Sequence, residues 1–220
     1  MPLELTDLLA GRALGGGPHS DLPLAALTME LQRGVMGDLA TFPELAVAAE
    51  GRRVVPAAAR LLTAFRRHHL PVMHCTAQFR ADRAGTVANT PLHSAVLRRP
   101  EHLLEKTPAV ELVPGLGVEA TDHVSARRHG VSPFTGTTLH TTLEHLGVRV
   151  LVVTGVSVNV GIIGLCIEAV NLGYQVVVAS DAVVGVPLDY ADAAMEHTLA
   201  LVARVNTVDE IVDALDILTR

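Results

Sequence analysis

Between Val150 and Ala182 a strand, a helix and a second strand follow one another with almost no connecting chain, and this limits the fold more than any other stretch. Val150–Val153 is a continuous apolar, mostly β-branched run, the pattern of a strand buried on both faces. A short turn, Thr154-Gly155-Val156-Ser157-Val158-Asn159, leads into Val160–Leu172, an apolar segment of helix length that stops at Gly173. A second buried strand, Tyr174–Ala179, follows at once. The unit is βαβ, and its crossover should be right-handed. In such sheets small ligands sit beyond the carboxyl ends of the strands, against helix N-termini, which places a site at the turn from Gly155 to Gly161.

The rest of the chain extends the same alternation. Pro23–Leu31 reads as a first buried strand whose apolar run ends at a carboxylate, Glu30. Phe42–Ala49 is a connection with helical character, and Val54–His69 is a helix with Pro56 in its first turn. Pro71–Phe79 is a second strand, and Asp122–His129 a short polar one. Helices are expected near Ser94–Arg99 and over Thr137–Leu146, Asp189–Ala203 and Val208–Leu218, with a brief strand at Arg204–Asn206. Residues 1–22 form an arm, Gly-rich at Gly11–Gly17 and expected to lie on a neighbouring subunit; residues 23–220 form one domain. The fold class is α/β, an open and mostly parallel sheet with helices on both faces. The weakly patterned stretch from Arg80 to Glu119 is long enough to cover a site.

Composition removes several functions. A net charge of −6 with no basic stripe argues against nucleic acid as partner. No apolar run reaches membrane-spanning length, and residues 1–21 lack the pattern of a signal peptide. Two cysteines, Cys75 and Cys166, cannot make a disulfide framework, so a cytoplasmic protein is expected.

Several short pieces, in this order and spacing, resemble the isochorismatase-like (cysteine hydrolase) superfamily. They are Met29-Glu30-Leu31-Gln32, Ser132-Pro133-Phe134 with Gly136-Thr137, Thr154-Gly155-Val156 with Asn159-Val160, Gly173-Tyr174, and Ser180-Asp181-Ala182. The resemblance implies a six-stranded sheet in a three-layer αβα sandwich, a small-molecule substrate, and assembly as a homo-oligomer. It also implies a catalytic Asp, Lys and Cys, and this chain departs at all three positions. Glu30 stands for the Asp and Gly161 for the Cys. Counting back from Phe134 puts Arg128 at the Lys position, whereas counting forward from Asp122 gives Arg127. Strand alternation lets only one of them face the site, and Arg128 is the one expected. Cys166 lies five residues past Gly161, about 140° around a helix, and should face the core, as should Cys75.

The chemistry left by these exchanges is acid–base rather than thiol chemistry. Glu30 would move the proton, Arg128 would orient the substrate, and amides around Val160, Gly161 and Ile162 would hold negative charge. Val156, Ser157, Phe134 and Gln32 are expected around the ligand. The metal cluster of nicotinamidase relatives has no counterpart, so neither a metal nor another cofactor is expected, and His74 reads as a satisfied core histidine. Relatives also lead one to expect a non-proline cis peptide near Val156. Two functions follow: a cofactor-free hydrolase of a small anionic molecule, or an inactive relative that keeps the pocket for ligand binding or assembly. A nucleotide-binding protein is disfavoured, because no Gly-x-Gly-x-x-Gly follows either strand.

Overall fold

The computed structural model of the chain describes residues 4–11 and 23–219. Six strands form one parallel sheet: β1 (Leu24–Met29), β2 (Val72–Ala77), β3 (His123–Arg127), β4 (Val150–Val156), β5 (Gln175–Val184) and β6 (Arg204–Asn206). Their spatial order is β3-β2-β1-β4-β5-β6. Apolar runs without polar alternation produce this arrangement because both faces of the sheet are covered. Leu24 and Ala26 of β1, with Val150 and Val152 of β4, pack into one core with helices Val54–Arg67 and Val208–Leu218. Ala25 and Leu27, with Leu151 and Val153, face the other core under helices Leu139–His145 and Ile163–Asn171. Successive side chains alternate between the two cores, giving the three layers.

Local chemistry sets several element ends. Val208–Leu218 begins with a capping box between Thr207 and Glu210, and Pro43 and Pro91 occupy first turns. The central helix starts earlier than expected: Val158–Ile162 makes a π-helical turn that runs directly into Ile163–Asn171. Strand β5 runs five residues beyond Ala179, so Ser180-Asp181-Ala182 lies inside the sheet. Its register against β4 shifts between Val153 and Gly155.

The expected arm is described only at 4–11; the rest of its Gly-rich part lies outside the described residues. Helix Leu5–Leu9 buries Leu8 and Leu9 in this chain's own core, beside helix Val208–Leu218. Two apolar side chains gain more from that core than from water. Among the described residues no helix is long and apolar enough to cross a membrane.

Candidate active site

The strand order changes direction between β1 and β4, and a crevice opens there beyond their carboxyl ends. The chain leaves β1 through Glu30 and β4 through Ser157, so both flank this crevice. The two strand ends approach closely because of Gly155. Its φ is +117°, and a Cβ there would lie 2.1 Å from the Met29 carbonyl oxygen. The Val156–Ser157 peptide bond is cis. Glu30 has φ +52°, a left-handed conformation that costs an L residue energy and recurs at functional positions.

A guanidinium reaches Glu30 from β3, two strands away. That gap is about 9.6 Å at ordinary strand spacing, which an extended Arg and a Glu span together. The residue that makes it is Arg127, not Arg128. Arg127 Nη2 donates to Glu30 Oε1, and the two side chains are only 7% and 15% exposed. Arg128 turns away and lies 3.5 Å from Glu105. Alternation decides between them: Ser125 and Arg127 share one face of β3, in register with Cys75 and Ala77 of β2. Counting back from Phe134 crossed an irregular loop, where one residue more or less changes the answer.

Arg127 is not saturated by this pairing. Its Nε donates to the Gly130 carbonyl, while its buried Nη1 has no protein partner. An unpaired buried donor of a charged group is costly, and a ligand oxygen would satisfy it. The adjoining cavity, about 120 Å³, is lined by Glu30, Arg127, Ser157, Val160 and Gly161, and by Leu92, His93, Val96, His102 and Leu103 of the covering segment. His93 and His102 were not expected as a pair here. The signal for His93 was Thr90-Pro91 ahead of it: Thr90 caps helix Pro91–Leu97 and also contacts His93 Nδ1 at 2.9 Å. Burial pushes the His102 pKa down to about 4, helped by the charges of Arg83 and Arg99, so it is neutral near pH 7.

Other expected ligand contacts are used elsewhere. Gln32 is fully buried; its Nε2 donates to the carbonyls of Ala77 and Val110, and its Oε1 accepts from the Ala77 amide. It therefore clamps β2 to the covering segment and does not line the cavity. Val156, Ile162 and Phe134 are core residues, Phe134 stacking on Tyr174. The amides of Val160 and Ile162 both donate to the Ser157 carbonyl, at 3.2 and 3.0 Å. That takes them away from a bound anion and leaves the Gly161 amide between them.

Neither cysteine lines this cavity, although Cys75 on β2 lies near enough for the charges of Arg127 and Glu30 to act on its thiol. Cys75 and Cys166 are fully buried, and burial pushes each thiol up to about 12. At Gly161 a Cβ would come within 3.0 Å of the Val156 carbonyl oxygen and 3.2 Å of Met29 Cε. The Met29 side chain thus packs into the space where a residue with a side chain would begin. A second polar chain, Thr28–His74–Asp122, has the order of a hydroxyl–imidazole–carboxylate triad. Thr28 and His74 are wholly buried in the sheet, so no substrate reaches them.

The geometry agrees with what the chain is similar to. The isochorismatase domain family model matches residues 25–210. YecD, an uncharacterized isochorismatase family protein of Escherichia coli O157:H7, is 29% identical over 195 residues, covering 87% of this chain and 95% of that protein. A solved isochorismatase family protein from Burkholderia thailandensis has TM-score 0.73 at 28% identity, covering 88% of this chain and 96% of the other. N-carbamoylsarcosine amidase from Thermoplasma acidophilum shares the fold, with TM-score 0.66 at 21% identity over 84% of this chain and 96% of its own. With its sheet order, its crevice and a family match over most of its length, the chain belongs to the isochorismatase family of hydrolases.

Proposed function

We propose that the protein hydrolyses a small anionic molecule by acid–base chemistry of Glu30, with Arg127 as the substrate-orienting cation and no cysteine nucleophile. The observation that carries this is the Glu30–Arg127 pair at the cavity wall, with Arg127 Nη1 left over as a donor. A carboxylate held by a guanidinium is a base: it takes a proton from the attacking water, and the same proton passes to the leaving group. Arg127 Nη1 holds a substrate oxygen, and the Gly161 amide is placed to meet negative charge that develops near the helix start. Gly161 itself contributes backbone only.

The two arginines separate this reading from a purely structural one. Arg127→Gln is expected to lower kcat/KM by about 100-fold or more, as loss of a charged substrate contact does, while Arg128→Gln stays within about twofold. Steady-state kinetics on amides, imides and vinyl ethers would show it. Equal effects of the two changes would remove Arg127 from the site.

We also propose that the chain works as a homo-oligomer through the helical layer that carries Ile167, Val170 and Leu172, which are large apolar side chains left exposed. Mass photometry should find a dimer or larger species, and Ile167→Glu should dissociate it. A wild-type monomer would overturn this.

A further inference from the structure

We infer that Leu103 sets the length of molecule the site accepts, and that the accepted class is a short, apolar-bodied monocarboxylate. The anionic end rests on the reading of Arg127 above; the length limit rests on separate geometry.

The cavity of about 120 Å³ is small. Common ligand pockets are roughly 300–1,000 Å³, so this one suits only a short molecule. Away from Glu30 and Arg127 its walls are mostly apolar, with Val35, Leu45, Leu92 and Val96 interrupted by His93, His102 and Ser157. A far larger groove, about 740 Å³, lies alongside and carries Arg98 and Arg99. Gly34, His102 and Leu103 line both spaces, so these three residues form the partition.

Within the partition only one side chain is free to define its thickness. Gly34 has none. His102 is tied to Thr41 Oγ1 at 2.6 Å and lies against the Phe79 ring. Leu103 packs straight onto the bare backbone of Gly34: a Cβ at residue 34 would lie 2.7 Å from Leu103 Cδ2. Leu103 is 2% exposed and has φ +45°, a conformation an L residue keeps only when its surroundings impose it. The Phe79 amide supplies part of that constraint by donating to the Leu103 carbonyl at 2.8 Å. A leucine held in the left-handed region, between a small polar-ended cavity and a wide groove, acts as a stop for the ligand's apolar end.

The test is ligand-observed NMR titration of wild type, Leu103→Ala and Leu103→Gly with linear monocarboxylates from acetate to octanoate, and with the matching primary amides. Leu103→Gly suits the left-handed backbone and guards against loss of folding in the alanine variant. In wild type, affinity should rise by about fourfold per buried methylene through about butanoate and then fall about tenfold or more. Both variants should move that fall outward by about two carbons or more, as the partition opens into the groove. A fall that does not move in the folded variants, or wild-type binding of octanoate as tight as that of butanoate, overturns the role of Leu103. Amides binding as well as carboxylates, with the same length limit, overturn the anionic reading of Arg127 and leave Leu103 standing. Binding of neither series to wild type at millimolar concentration overturns both.

Discussion

Glu30→Gln is expected to lower kcat by a factor of about 10²–10⁴, the usual worth of a positioned proton-transfer group, with the fold intact. The two side chains have the same shape, and the amide oxygen of Gln can still accept from Arg127 Nη2, where Glu30 Oε1 accepts now. What disappears is the charge and the ability to hold a proton. The stability cost should stay near 1–2 kcal/mol, about the worth of one charge-assisted hydrogen bond. Glu30→Ala is the contrasting case. It leaves the buried Arg127 without its one carboxylate partner among the described residues, which costs about 3–5 kcal/mol, so lost activity in that variant would be confounded with lost structure. Rates on the hydrolysable compound that wild type turns over, together with thermal melts, distinguish the two. The pH–rate profile adds an independent reading, because the Gln variant should lose whichever limb reports the carboxylate. Undiminished turnover by a folded Glu30→Gln enzyme would remove the acid from the mechanism and return the chain to the ligand-binding alternative.

How much of this was legible before any coordinates depended on what kind of chain had to be counted through. The β-branched run at Val150–Val153 and the apolar run ending at Glu30 are regular strands with fixed alternation, so their faces, their burial and the crevice between them follow from periodicity. Gly161 was assigned by counting back from Gly173, a count that runs along helix Ile163–Asn171 and ends inside the π-helical turn Val158–Ile162, where the spacing is no longer that of an α-helix. Arg128 was preferred to Arg127 because the count from Phe134 ran through the turns at 128–133, which have no repeat to constrain them. The forward count from Asp122 stays within β3 and gives the arginine that faces Glu30. The same reasoning explains Gln32. Its side chain does what the backbone of a strand would otherwise do, bridging Ala77 and Val110, and no local pattern announces a partner 78 residues away. His93, His102 and Leu103 belong to a segment held by tertiary contacts and isolated bridges, such as Phe79 with Leu104, rather than by hydrophobic period. Such residues can be suspected from sequence as covering a site, but their facing directions come only from packing.

Asp122→Ala is expected to cost about 3–5 kcal/mol of stability, among the largest single changes this chain can show, because it removes a buried carboxylate and leaves the Arg66 guanidinium without its charge partner. The Asp122 side chain is 2% exposed and accepts from Arg66 Nε and Nη2 at 3.0 and 2.6 Å, from His74 Nε2 at 3.1 Å, and from the Glu119 amide at 2.9 Å. His74 Nε2 therefore carries the ring proton, and Nδ1 accepts from the Thr28 hydroxyl at 2.9 Å. Burial outweighs the Asp122 contacts and holds the His74 pKa below its usual value, so the native ring stays neutral where the unfolded one takes up a proton. On that account stability falls as pH drops below about 6.5, until the native ring also protonates. For Asp122, burial acts to raise the pKa, but the hydrogen bonds from Arg66, the Glu119 amide and His74 and the Arg66 charge overcome it, and the net shift is downward. Its contribution is present above about pH 4 and is lost as pH falls further through its native value. Guanidinium midpoints at several pH values test both parts. Wild type should lose stability in two stages on acidification, while Asp122→Ala should start lower and lose less below about pH 4. Asp122→Asn, which keeps the shape and one acceptor oxygen, should fall between them. A loss under about 1 kcal/mol for the alanine variant would mean that water already reaches Arg66 and His74, so that β3 is held to its neighbours by the sheet ladder alone.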